Sequence, residues 1–245
     1  MDSTKRVLKF QTYGMKKSVG VFWSVLLTIN IFTYILIGYF NSNIRIGIFD
    51  SRTNTFSIVA GNIMPIFIFL IVYGIVMYHE DFALALNFGV TRKDFYKSVI
   101  FNNLLVILVF SVIQSTLQVI DKNIMGLLGY KPMVEFSIFN ISTDNIWFIM
   151  LTLALLFLTI ASITNLLGIL QYRFGYKLWI GLGVVFTVGQ IMGNFTIKTI
   201  IALSEILLWL QGKLHYPTVL IIGFAIIIIC YILGYFQIKK ANIKK

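Results

Sequence analysis

Charge is scarce in this chain: only 12% of its 245 residues are charged, about half the share found in ordinary soluble domains. A soluble globule is therefore excluded. A single cysteine, Cys230, lies inside an apolar run, which excludes an intramolecular disulfide and any cysteine-based metal cage. No G-x-x-x-x-G-K-[ST] segment occurs, so the usual loop for cradling nucleotide phosphates is missing. His79-Glu80 is only a fragment of H-E-x-x-H, and G-x-S-x-G is absent, which argues against an intramembrane hydrolase. Repeats, low-complexity tracts and Pro/Gly/Ser-rich linkers are lacking too, so residues 1–245 read as a single membrane domain.

What fills the chain is apolar: 58% of it is hydrophobic. A bilayer span needs roughly 20 residues of helix. Six runs qualify: Val19 to Phe40, Phe56 to Tyr78, Val99 to Ile120, Ile146 to Gln171, Leu178 to Gly193 and Thr218 to Phe236. The first run is too long for a secretory signal and has no small-x-small cleavage site, so it is expected to remain as a helix. The fold class expected is an all-α polytopic membrane protein with six spans. Placing both termini inside puts fourteen of the twenty lysines and arginines on inner segments, as the positive-inside rule requires. In that topology His79 and His215 lie on opposite sides and cannot share a metal.

Two flanking segments are expected to be amphipathic. Thr4 to Ser18 sets Val7, Leu8, Phe10 and Tyr13 among five basic residues; it reads either as a helix lying on the inner leaflet or as a plain basic anchor. Asn194 to Pro217 is apolar, yet it contains Lys198, Glu205, Lys213 and His215. A seventh crossing there would carry the lysine-rich C-terminus outside, so an outer interfacial or re-entrant helix fits better. Lys198 and Glu205, seven residues apart on one face, are a candidate outer gate. The loop from Asp121 to Asn145 is expected to rest against the membrane surface.

The most informative inner segment is His79 to Lys97. Phe82, Ala85, Leu86 and Gly89 recur at helical spacing, which predicts a short helix broken at Gly89-Val90. Thr91-Arg92-Lys93-Asp94 then matches a capping box, predicting that the third long helix begins before it enters lipid. A short helix held between two rigid spans suits either docking of a partner or a plain hairpin loop.

In this hairpin, Leu86-Asn87-Phe88-Gly89-Val90-Thr91-Arg92-Lys93-Asp94-Phe95-Tyr96, the chain resembles the six-span permease subunits of type-II-fold ABC exporters. Short Gram-positive permeases that expel lantibiotics and peptide toxins look most similar. The resemblance also covers the basic amphipathic start, the span layout and the lysine-rich tail. It implies that the hairpin helix is a coupling helix docking into a cytosolic ABC ATPase subunit, with Glu80, Asp81, Phe82, Leu86, Phe88, Thr91, Arg92, Lys93 and Asp94 as the contact residues. It further implies a second permease subunit, identical or related, and a multi-pass place in the bacterial plasma membrane. This chain would hold no cofactor, since ATP and Mg belong to the partner ATPase, and would bind no nucleic acid.

None of the six spans, as bounded above, contains an interior Asp, Glu, Lys or Arg, which counts against an ion-coupled carrier. Pro65, with Asn62 one turn earlier, predicts a kink in the second span and a candidate hinge. Asn30, Asn165 and Gln190 are expected to bond neighbouring helices. Walls rich in Phe, Ile and Met would favour a hydrophobic or amphipathic passenger such as a peptide. The alternatives are a drug or lipid exporter permease, or a non-transporting immunity or scaffold protein.

Overall fold

A computed structural model describes residues 3–40, 47–50, 54–136, 138–191 and 216–241. The first helix, α1 (Ser3–Phe40), runs unbroken for 38 residues. The basic segment Thr4 to Ser18, read as either a leaflet helix or a basic anchor, is continuous with the first long apolar run. Val7, Gln11 and Met15 are buried at four-residue steps and continue into the buried Trp23, Leu26, Asn30, Thr33 and Ile37, so one inward seam holds the whole helix upright against its neighbours.

Beyond α1, strands β1 (Ile48–Asp50) and β2 (Thr55–Ser57) pair antiparallel, with Ile48 opposite Ser57. Phe56 of β2 also donates from its N–H to the Lys131 carbonyl and accepts from the Met133 N–H, both at 3.0 Å. Two-residue strands β3 (Glu135–Phe136) and β4 (Phe139–Asn140) complete a small cap. Ile37, Phe56, Ile58 and Met125 form its buried apolar floor.

A 3-10 turn, Val59–Asn62, precedes α2 (Ile63–His79). The expected second span thus begins later than Phe56, which lies in the cap. Pro65 occupies the first turn of α2, where backbone N–H groups have no intrahelical partner, so its missing N–H costs the helix little there. The discontinuity in this segment is the change from 3-10 to α geometry at Asn62–Ile63.

Helix α3 (Asp81–Asn87) is followed by α4 (Arg92–Leu127), α5 (Ile146–Phe174), α6 (Tyr176–Ile191) and α7 (Tyr216–Lys239). Among the described residues five helical segments, namely α1, the one containing α2, α4, α5 and α7, are long and apolar enough to cross a membrane. The chain is a predominantly helical, multi-pass membrane protein. Helix α6 is described over 16 residues, a length of about 24 Å.

The core has two main parts. Midway along the bundle Phe22, Trp23, Phe69 and Phe110 pack ring on ring with centroids 4.8 to 5.7 Å apart. At the end where α1 begins and α7 finishes, Val7, Phe82, Phe95, Tyr172, Ile238 and Ala241 join one buried cluster. This hairpin end gathers parts of α1, α3, α4, α5 and α7.

Candidate functional site

Backbone hydrogen bonds explain why α3 is short and fixed in place. The Glu80 N–H still donates to the Val76 carbonyl at 3.0 Å, so α3 follows α2 with hardly a break. At its other end Gly89 adopts φ +74°, the Val90 N–H reaches the Ala85 carbonyl at 3.1 Å and the Gly89 N–H the Leu86 carbonyl at 3.0 Å. That pairing is a Schellman stop, which favours glycine at the left-handed position. Thr91 then caps α4: its Oγ1 accepts from the Asp94 N–H at 3.1 Å and donates to Asp94 Oδ2 at 2.9 Å. The stop and start expected from the sequence are thus both present.

Three further ties anchor this hairpin. Thr4 Oγ1 donates to Asp94 Oδ1 at 3.3 Å, joining α1 to α4. Arg92 donates to the Lys239 carbonyl at 2.7 Å, where it satisfies the end of α7. Arg173 of α5 donates to Gln237 of α7.

The nine hairpin residues singled out from sequence separate into two groups. Phe82 is fully buried, 5.1 Å from the Phe95 ring and edge-on to Tyr172 at 4.9 Å. Its ring anchors α3 in the core of this chain. Leu86 is half-buried beside it, and Thr91, Arg92 and Asp94 are engaged in the cap and the ties. What remains bare is Glu80, Lys93 and above all Phe88, 77% exposed on the turn. Phe88, Leu84 and Val90 line a groove of about 300 Å³ whose other wall is Arg6, Val7 and Phe10 of α1.

Asp81 is half-buried just beyond the α2 span. Burial, and then the neighbouring charge of Glu80, push its carboxyl up to about 6. A carboxyl raised on folding binds its proton in the folded chain first, so its charged form costs stability above that pH and the cost disappears as pH falls through 6. Purified protein should gain thermal stability between pH 7 and pH 5, and Asp81→Asn should flatten that gain; equal gains in both proteins would exclude Asp81 as its source.

A scan against family models and searches of curated proteins and of solved structures found no match. The hairpin must be judged on its own geometry.

Of the other expected site residues, Lys198 and Glu205 lie outside the described residues. Asn62 is buried with its Nδ2 unpaired, at the step between the 3-10 turn and α2. Asn30 is buried on α1, and Asn165 accepts a 2.5 Å hydrogen bond from the Tyr78 hydroxyl, joining α2 to α5.

Helix α4 holds what sequence reasoning missed. It continues past Ile120 to Leu127 and buries Asp121 at 3% exposure, where the sequence suggested the start of a loop. Tyr34 donates to one Asp121 oxygen, and the Ser57 hydroxyl donates to the other at 2.6 Å. Below it Ser98, Asn102, Ser111, Gln114 and Gln118 are all buried, a polar seam inside an apolar helix. Gln114 Nε2 donates to the Val59 carbonyl at 2.9 Å, and Asn102 donates to Tyr73. The three- and four-residue spacing of Ser111, Gln114, Gln118 and Asp121 was the available signal.

Proposed function

We propose that the chain is the membrane subunit of an ATP-driven exporter of the ABC class, its hairpin α2–α3–α4 coupling it to a separate cytosolic ATPase subunit. The observation that carries the reading is the pairing of a rigid backbone with a bare aromatic: α3 is stopped and capped by hydrogen bonds, its underside is locked by Phe82, and Phe88 stands 77% exposed over an apolar groove. An exposed ring with no packing role inside the chain suits a hot spot for a partner. Rigidity matters equally, because displacement of α3 is passed on to α1, α4, α5 and α7 through the ties at the hairpin end.

Topology supports six crossings and termini on one side. Helices α5 and α7 both finish at the hairpin end, which favours a crossing between Phe174 and Tyr216 in this reading, with α6 as the described helix assigned to it. With the hairpin end cytoplasmic, fourteen basic residues fall inside, in a bacterial plasma membrane. Two permease copies and two ATPases would make the exporter, with the ATPase dimer binding one permease state more tightly than the other and so driving the change. The passenger class we assign is hydrophobic or amphipathic, peptides foremost, since the lipid- and partner-facing surfaces are dominated by Ile, Leu, Val and Phe.

Phe88→Glu tests the reading. The variant should insert and melt like the parent, because Phe88 is not part of the core, yet co-purify at least tenfold less of a soluble ATPase subunit. Unchanged recovery of that ATPase, or recovery of none by the parent chain, overturns the assignment.

A further inference from the structure

Helices α1 and α4 lie parallel and in register. Thr4 bonds Asp94 at one end, Phe22 stacks on Phe110 in the middle and Tyr34 bonds Asp121 at the other, with sequence separations of 90 and 87 at the two ends. Lys16 and Lys17 of α1 therefore stand level with Leu104 and Leu105 of α4, which are 38% and 42% exposed on a surface built to meet lipid. The basic part of α1 reaches roughly two helical turns deeper than that of α4, which ends at Lys97. Lys9, Lys16 and Lys17 are all exposed, and among the described residues neither deep lysine has an acidic partner. Ammonium groups at apolar depth are tolerated when they reach an anion or the interface.

The same face changes character just above them. Val21 and Val25 are 58% and 52% exposed. Ser24 and Thr28 donate their hydroxyls to the carbonyls of Gly20 and Ser24, each at 2.8 Å, so they present methyl and methylene surface without an unmet polar demand. A Cβ added at Gly20 would meet nothing within 4 Å, which leaves a shallow open strip. Tyr13, 83% exposed, sits between the lysines with its polar tip free to reach a headgroup.

We propose that this face of α1 is a binding site for an anionic phospholipid of the leaflet at the hairpin end. Lys9, Lys16 and Lys17 hold the phosphate, and an acyl chain lies along the Val21–Thr28 strip. Charge complementarity selects the head and the smooth apolar strip the tail; an inorganic anion would use only half of the site. The proposal does not depend on the ATPase reading, and its test involves no ATPase.

Native mass spectrometry of the full chain, released from mixed phosphatidylglycerol and phosphatidylcholine, is the experiment. Phosphatidylglycerol should remain bound in preference to phosphatidylcholine, and excess inorganic phosphate should not displace it. K9Q/K16Q/K17Q should weaken retention on the order of a hundredfold, given the usual attraction of each lysine to an anionic surface. K97Q/K177Q/K240Q, which removes equal charge elsewhere at the same end, should change it less than twofold. Equal retention of both lipids by the parent chain overturns the site, as does equal loss in both triple variants or displacement by phosphate. Efficient crosslinking of V25C between two copies in anionic membranes would also overturn it, because a second copy would then cover the strip.

Discussion

Asp121→Ala is expected to be the most destabilising single change at the end of the bundle opposite the hairpin. The buried carboxylate gathers Tyr34 of α1, Ser57 of β2 and the first turn beyond β2, where Ser57 Oγ in turn accepts from the Ala60 N–H at 3.0 Å. One side chain on α4 thereby fixes α1, the cap and the start of α2. Its own burial is tolerable because donors surround it; removing it strands those donors where water cannot replace it. Hydrogen bonds to a charged group contribute about 1.5–3 kcal/mol each, and leaving buried partners unpaired costs a similar amount, so a loss of about 3 kcal/mol or more follows. Asp121→Asn, which keeps an accepting oxygen, should lose less. Thermal unfolding in detergent measures both, and a Tyr34→Phe cycle isolates the α1 contact: coupling should exceed about 1 kcal/mol. An alanine variant that melts with the parent would show that the carboxylate holds nothing together.

Local signals in the sequence proved readable where local chemistry decides the structure. The Gly89 stop and the Thr91 cap need only neighbours within five residues, and both form as expected. The long apolar helices were equally legible, because hydropathy over some twenty residues is a local property. Tertiary partners set everything else. Phe82 and Phe88 are identical in type and six residues apart, yet one is buried and one bare. Helical spacing alone could not say which face of α3 would meet Tyr172 and Phe95. Pro65 reads as a kink if the helix begins at Phe56, and as a first-turn residue once Phe56 pairs with the segment around Pro132. Asp121 was placed in a loop because charge ends a hydropathy window, whereas Tyr34 and Ser57, 87 and 64 residues away, make its burial acceptable. The continuity of α1 was hidden for the same reason: Val7, Gln11 and Met15 form a buried seam only once the rest of the bundle stands beside them.

Gly168→Ala should part α2 from α5, the pair that supports the hairpin from above. A Cβ built on Gly168 would collide with the Gly74 carbonyl oxygen and lie 2.9 Å from Tyr78 Cδ2; one built on Gly74 would lie 2.8 Å from Thr164 Oγ1. Backbone atoms cannot swing aside as a flexible side chain can. In lipid, where apolar surface drives little association between helices, such close approach through small residues is a principal source of attraction. Overpacking costs about 1–3 kcal/mol, and here it would also strain the 2.5 Å Tyr78–Asn165 hydrogen bond one turn away. Gly126→Ala provides the opposite sign. Nothing lies within 4 Å of its added Cβ, and it sits in the last turns of α4, so alanine should stabilise the helix by about 0.5–1 kcal/mol. Melting temperatures that move apart, down for Gly168→Ala and up for Gly126→Ala, are the expected result. If both variants shift the same way, helix propensity rather than the α2–α5 approach governs these glycines. Because α3 hangs from α2, the proposed coupling adds that the Gly168 variant should recover less of a soluble ATPase subunit, whereas Gly126→Ala should leave that recovery unchanged.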